Sequence, residues 1–133
     1  MILFERLKLL ENNIRELLEF KKRFSLTDVR SDKSKEWALR YGFLESIQII
    51  IDIACHIVAK YNLGNPTAYS ECIEFLMKYH YIHEGLSSKL VSMIGLRNIL
   101  VHEYISIEMD KLYELLNNIE DFKEFVDEVK DFL

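Results

Sequence analysis

The chain has 133 residues, of which half are hydrophobic and 29% are charged, with only four glycines and one proline. This length and composition suit one soluble domain spanning residues 1–133, and the scarcity of glycine and proline argues against strands joined by many tight turns. The formal net charge is −5, which excludes a broadly basic nucleic-acid-binding surface. Any contact with RNA must therefore rest on a local site.

The N-terminal half predicts two long helices. From residue 2 to 24, apolar side chains alternate at spacings of four and three, which places them on one face of a helix. Residues 25–34 are polar, lack this periodicity and predict a loop. The second helix, residues 35–61, is apolar on two faces, which predicts a central position or a place at a subunit interface.

Three further helices are predicted after a clear stop at residues 62–66. Gly64 suits a C-terminal cap and Pro66 a first helical position, so the third helix is placed at 66–81. A break at Glu84–Gly85 precedes a fourth helix at 88–104, and a fifth begins at Ser106 or Ile107. Short connections favour antiparallel neighbours. The predicted fold is all-α, an up-and-down antiparallel bundle of four long helices plus one shorter helix.

Both cysteines, Cys55 and Cys72, lie in apolar helical stretches. This setting predicts buried thiols without a disulfide, in a protein of the reducing cytoplasm. The N-terminal segment mixes acidic and basic residues, unlike a signal peptide. The most apolar stretch, Ile47–Ala59, is interrupted by Asp52 and His56 and is too short to span a bilayer.

The fourth helix carries an unusual arginine. At ~100° per residue, Arg97 lies in the middle of an apolar face, formed by Leu90, Met93, Ile94, Val101 and Tyr104. Burying an unpaired guanidinium costs several kcal/mol. Arg97 therefore needs a carboxylate partner such as Asp52 or Glu45, a wet cleft or a subunit interface.

An imidazole, an amide and a phenol lie close to this arginine in the sequence, at His102, Asn98 and Tyr104. A single histidine on a helix is more often structural than catalytic, but this combination suits RNA cleavage without a metal. A neutral imidazole can accept the proton of a ribose 2′-hydroxyl, while Arg97 holds two phosphate oxygens and stabilises the charge that develops. Asn98 can bind phosphate or orient His102, and Tyr104 can bind phosphate or stack on a base.

The directions of Arg97 and His102 add a condition, because they differ by about 140° around a straight helix. The two side chains can converge on one phosphate if two copies of the helix face each other across a twofold axis. The sequence therefore predicts a homodimer with an active site at the dimer cleft.

The segment GLRNILVHEY, Gly95–Tyr104, resembles the signature of the HEPN superfamily, and specifically its HepT toxin branch with an Arg-(x)4-His-x-Tyr pattern. The resemblance extends along nearly the whole chain, including Glu45, Asp52–Ile53 and the DFKEFVDEV tail. It implies an all-α dimer acting as a metal-independent endoribonuclease toxin, with Arg97 and His102 as catalytic residues. It also implies a partner, a minimal nucleotidyltransferase of the MntA type, which neutralises the toxin by transferring AMP to Tyr104.

Some alternatives stay open. The same bundle can be a non-catalytic subunit that binds a nucleotide or docks a nucleotidyltransferase, a role that the acidic net charge favours. Asp52 and His56, four residues apart, can pair structurally on one helix face or can serve the cleft. The spacing of histidines and cysteines matches no zinc site, so neither a metal nor another cofactor is expected.

Overall fold

The computed structural model describes residues 2–102 and 109–133, with Ile2 described by its backbone alone. These two ranges contain helices and no strand, which confirms the predicted all-α fold. The α-helices are α1 (Ile2–Arg23), α2 (Leu26–Ser31), α3 (Lys33–Lys60), α4 (Tyr69–Lys78), α5 (Glu84–Val101), α6 (Met109–Glu114) and α7 (Ile119–Val129), and two 3₁₀ turns span Leu115–Asn118 and Lys130–Phe132.

The longest helix, α3, lies at the centre of the bundle. It packs against α1, α2, α4, α5 and α6, and its buried side chains, Ile53 and Ile57 among them, come from both apolar faces. By length and composition alone α3 could cross a membrane, but 56% of its most apolar window is buried inside the bundle. Burial on two sides is what a core helix requires, and it confirms the central position predicted from the pattern.

The prediction of a loop throughout residues 25–34 is wrong, because α2 lies within it. Ser25 caps this helix by accepting a hydrogen bond from the Asp28 backbone N–H, and the Asp28 carboxylate accepts one from the Ser25 N–H. Val29 is fully buried beneath it. A helix of six residues shows too little apolar periodicity to be found by spacing, although its capping box was present in the sequence.

Two predicted helix starts are also wrong. The third predicted helix begins at Tyr69 rather than Pro66, because the Glu71 carboxylate accepts hydrogen bonds from the Thr67 backbone and hydroxyl and holds that segment outside the helix. The fourth begins at Glu84 rather than Ser88. His83 caps it through its ring nitrogen, and Gly85 lies inside the helix instead of breaking it.

The end of the fourth predicted helix differs as well. It was placed at Tyr104, but α5 ends at Val101 and His102 has an extended backbone, with φ −87° and ψ 92°. Tyr104 and the predicted start of the fifth helix lie outside the described residues. The fifth helix is not continuous, because the 3₁₀ turn at residues 115–118 separates α6 from α7.

The prediction of two separate thiols is wrong. Cys55 of α3 and Cys72 of α4 form a disulfide, with 5.0 Å between their Cα atoms. Spacing along the chain carries no information on this pairing, since only the packing of α4 on α3 brings the two cysteines together. The link ties the short helix α4 to the central helix.

Candidate active-site groove

Arg97 lies where the buried face of α5 opens to solvent. Earlier on that face, Leu90, Met93 and Ile94 are buried as their spacing predicts, whereas Val101 is 43% exposed one turn beyond the arginine. The opening is a groove of about 600 Å³ between α1, α3 and α5. It is lined by Glu5, Arg6, Leu9, Tyr41, Leu44, Glu45, Gln48, Ile49, Arg97 and Val101. In the single chain Arg97 therefore lies in a solvent-accessible cleft, and a subunit interface at this position stays a prediction.

Neutral groups hold the Arg97 guanidinium. Its Nε donates to the Gln48 side-chain oxygen at 3.0 Å and its Nη1 donates to the Asn98 side-chain oxygen at 3.2 Å. The guanidinium carbon lies 5.4 Å from the centre of the Tyr69 ring, in the geometry of a cation–π contact. The spacing of α5 predicted neither Gln48 nor Tyr69 as a neighbour, because both belong to other helices.

One alternative considered for Arg97, an ion pair with Asp52 or Glu45, is not what the structure shows. The Asp52 carboxylate accepts hydrogen bonds from Arg6 and Gln48, and the Glu45 carboxylate accepts from Asn13 and Tyr41. Within residues 2–102 and 109–133, no salt bridge involves Arg97. Its positive charge is therefore neutralised by no carboxylate of that part of the chain and is available to an anion in the groove.

Asn98 lies beside Arg97 but faces a second cavity. This cavity, of about 500 Å³, is lined by the segment preceding α4, by Tyr69, by the Cys55–Cys72 disulfide and by Ile94 and Asn98. Arg97 and Asn98 thus separate two adjoining openings. The predicted supporting residue contacts the predicted catalytic arginine, and its role in catalysis stays a prediction.

The structure places His102 at the C-terminal cap of α5, where its backbone N–H donates to the Ile99 carbonyl. Its side chain is exposed. Leaving the helix at this residue changes the direction expected from a straight helix. Of the four predicted site residues, Arg97 and Asn98 are brought together, His102 follows them at the helix end, and Tyr104 lies outside the described residues.

The interpretation of Asp52 and His56 as a pair on one helix face is not what the structure shows. Asp52 is engaged by Gln48 and Arg6. His56 is exposed and shares with Asp52 and Arg6 an opening separate from the Arg97 groove. Asp52 is therefore connected to Arg97 through Gln48, one side chain away.

Away from the groove, His83, Glu124 and Glu128 bring three possible metal ligands within 4.8 Å of one another. The His83 Nδ1 accepts a hydrogen bond from the Leu86 backbone N–H, so the proton of the neutral ring lies on Nε2, which contacts the Glu124 carboxylate. A metal would need the lone pair of that nitrogen. His83 is a helix cap and a hydrogen-bond donor here, and we assign no metal to this cluster.

A helical bundle with an Arg-(x)4-His motif at the open end of one helix defines a protein of the HEPN class. Residues 10–129 match the model of the family described as ribonuclease HepT-like, and the chain belongs to that family.

Individual relatives support this assignment. The chain is 37% identical over 81 residues to the mRNA nuclease HepT of Shewanella oneidensis, a match that covers 60% of this chain and 61% of that protein. It is 26% identical over 133 residues to the tRNA nuclease HepT of Aphanizomenon flos-aquae, covering 99% and 90% of the two chains. The fold also matches the tri-AMPylated Shewanella oneidensis HEPN toxin, solved in complex with an MNT antitoxin, with a TM-score of 0.88, 26% identity and coverage of 98% and 97%.

Proposed function

We propose that this protein is a metal-independent endoribonuclease, the toxin of a toxin–antitoxin pair. The observation that carries the proposal is Arg97, which has no carboxylate partner in the described residues and lies in an open groove. Its family contains nucleases that act on RNA. A cation held by neutral groups suits the binding of a phosphate that gains charge during the reaction.

The residues divide the chemistry between them. His102 accepts the proton of the ribose 2′-hydroxyl, and the 2′-oxygen then attacks the adjacent phosphorus. The bond to the 5′-oxygen breaks, which leaves a 2′,3′-cyclic phosphate and, after protonation, a 5′-hydroxyl. Arg97 donates to the non-bridging oxygens through its terminal nitrogens and stabilises the charge that develops there. Asn98, the next residue in the chain, accepts a hydrogen bond from Arg97 Nη1 and supports the arginine.

The acidic net charge of −5 restricts where RNA can bind. The groove contains two arginines, Arg6 and Arg97, together with the carboxylates Glu5 and Glu45. Binding thus relies on a few close contacts instead of a long basic track, and we expect it to weaken less with salt than binding by a strongly basic protein. The same charge balance favours the alternative, a non-catalytic subunit that binds a nucleotide or a nucleotidyltransferase.

Cleavage of RNA in the presence of EDTA separates the two functions. We expect the purified wild-type protein to cleave RNA in EDTA and His102→Ala to lose activity by about 10²- to 10⁴-fold, because the proton acceptor is removed. His56→Ala is the matched control, since it removes an exposed histidine that does not line the Arg97 groove, and it should cleave as wild type does. Absence of cleavage by the wild-type protein, or equal cleavage by His102→Ala, would favour the non-catalytic function.

We also propose that the active form is a homodimer, formed through an exposed apolar strip beside Arg97. The strip consists of Leu9, Trp37, Tyr41 and Val101, of which Trp37 and Tyr41 are each 62% exposed. Three of these side chains line the Arg97 groove, and Trp37 adjoins Tyr41 in the next cavity. Aromatic side chains of this kind are typical of interface cores, and a twofold axis here would bring two motifs together.

Sedimentation at micromolar concentration tests the dimer. We expect the wild-type protein to sediment as a dimer and Trp37→Ser to shift it towards monomer with a parallel loss of cleavage. Tyr79→Ser removes an aromatic side chain of comparable exposure that follows α4, and it should leave the dimer intact. A wild-type monomer with full activity would contradict the proposal.

We propose two further properties. The antitoxin is a minimal nucleotidyltransferase that modifies Tyr104, a proposal supported by the similarity to a toxin solved in an AMPylated state with its MNT antitoxin.

The site of action is the cytoplasm, which contains the RNA substrate. A disulfide such as that between Cys55 and Cys72 is uncommon in that compartment, and intact-mass measurement with and without reductant shows whether the purified protein contains the bond.

A further inference from the structure

A chain of hydrogen bonds connects the Arg97 guanidinium to the opposite side of the groove. Arg97 Nε donates to Gln48 Oε1 at 3.0 Å, and Gln48 Nε2 donates to Asp52 Oδ1 at 3.0 Å. The other oxygen of Asp52 accepts a hydrogen bond from Arg6 Nη1. These hydrogen bonds connect side chains of α5, α3 and α1 one after another, and Gln48 lies between Arg97 and Asp52.

The Asp52 carboxylate determines how the Gln48 amide is oriented. An ionised carboxylate accepts hydrogen bonds and donates none, so Gln48 must direct its NH₂ group towards Asp52. Its carbonyl oxygen is then directed towards Arg97, where the Nε–H needs an acceptor. The salt bridge with Arg6 holds the carboxylate in place. Gln48 therefore has one favourable orientation in this groove, and the contact with Arg97 depends on it.

A neutral acceptor at this position has a particular advantage. It fixes the direction of the guanidinium through Nε without offsetting the positive charge that a phosphate needs. Glutamate at the same position would form an ion pair with Arg97 and compete with the substrate. The Gln48 contact uses Nε alone, so the terminal nitrogens keep N–H groups for a phosphate, although Nη1 also donates to Asn98.

We infer that Gln48 is a positioning residue, which acts through Arg97 by presenting its terminal nitrogens to the scissile phosphate. The inference rests on the proposed ribonuclease activity for its kinetic effects, whereas the contact itself can be tested without RNA. Gln48 lines the groove that contains Arg97, and it is partly buried. The resemblance on which Arg97 and His102 were predicted did not include it.

Two substitutions separate positioning from charge. Gln48→Met keeps the length of the side chain and removes the acceptor, so we expect kcat to fall roughly 10-fold, the effect of one hydrogen bond to a charged group. Gln48→Glu keeps an acceptor and adds a negative charge, so we expect KM for RNA to rise as the carboxylate competes with the phosphate. If Gln48 had only a structural role, the two variants would not differ in this way, with kcat lowered in Gln48→Met and KM raised in Gln48→Glu.

The matched control is Asn13→Leu. Asn13 of α1 donates to Glu45 of α3 at 2.9 Å, so this variant also removes a part-buried side-chain hydrogen bond between helices at the groove, but one without a link to Arg97. We expect it to cleave RNA with wild-type kcat and KM. Thermal unfolding of all three variants shows whether any kinetic change reflects loss of folded protein.

A direct readout uses the ¹⁵N–¹H resonance of Arg97 Nε, assigned by its loss in Arg97→Lys. We expect a protected signal in the wild-type protein and in Asn13→Leu, and a shifted, rapidly exchanging signal in Gln48→Met. Wild-type kinetics in Gln48→Met, together with an inactive Arg97→Ala, would overturn the positioning role and leave the proposed function standing. If the wild-type protein cleaves no RNA, the proposed function fails, and an unchanged Nε signal in Gln48→Met would show separately that the contact is absent.

Discussion

Arg97→Ala is expected to lower kcat/KM for RNA cleavage by about 10²- to 10³-fold, the loss seen when one group that stabilises transition-state charge is removed. The guanidinium is held at Nε by Gln48 and at Nη1 by Asn98, so it is positioned before the substrate arrives. Arg97→Lys should recover activity only partly, because an ammonium group lacks both the Nε contact and the fork. Initial rates on a labelled RNA, measured in EDTA, check the order wild type, lysine, alanine.

The control for this prediction is Arg15→Ala. Arg15 is exposed on α1 and contacts Asn12, so its removal lowers the positive charge equally without touching the groove. It should cleave RNA within about twofold of the wild-type rate, since exposed contacts of this kind contribute little. If Arg97→Ala were no slower than Arg15→Ala, Arg97 would have a structural role only.

Transfer of AMP to Tyr104 is expected to abolish RNA cleavage. The phenolic oxygen would attack the α-phosphorus of ATP, forming a phosphodiester and releasing pyrophosphate and a proton. The new group carries negative charge two residues after His102, so it repels the RNA phosphate and occupies space at the site. Co-expression with a minimal nucleotidyltransferase of the MntA type, followed by intact-mass measurement and a cleavage assay, tests the expectation.

Tyr104→Phe is the control for the modification, because it keeps the ring and removes the oxygen that forms the bond. It should gain no adenylyl group at this position and should continue to cleave RNA after co-expression. An adduct of the same mass on Tyr104→Phe would place the modification elsewhere, and a modified protein with undiminished cleavage would show that AMP transfer does not neutralise it.

Much of the fold could be predicted because the helices here are long and regularly patterned. Twenty-two residues of α1 and twenty-eight of α3 give many repeats of an apolar face, and the two-faced pattern of α3 indicated its central position. Helix ends were harder to predict. His83 caps α5 with a ring nitrogen and Gly85 continues the helix, although serine and glycine are the usual signals for a start and a break.

The sequence likewise predicted one part of the site and not the other. The helical wheel showed that Arg97 occupies an apolar face and cannot be buried there alone, and the local spacing of Arg97, Asn98 and His102 carried the resemblance to HEPN proteins. The partner of Arg97 could not be found in this way. Charge alone indicates Asp52 and Glu45 as candidate partners, yet the acceptor is the neutral Gln48, because Arg6 approaches from α1 and pairs with Asp52.

The sequence by itself determined the helical class, the central helix and the arginine that needs an anionic or polar environment, because each of these depends on residues near one another in the chain. Tertiary structure alone decided the groove between α1, α3 and α5, the link from Arg6 to Arg97 and the disulfide between Cys55 and Cys72. The disulfide joins residues 17 positions apart, and the contacts of Arg6 with Asp52 and of Arg97 with Gln48 join residues 46 and 49 positions apart. Such pairs meet only when helices pack, and periodicity within a helix does not specify which neighbour it will face.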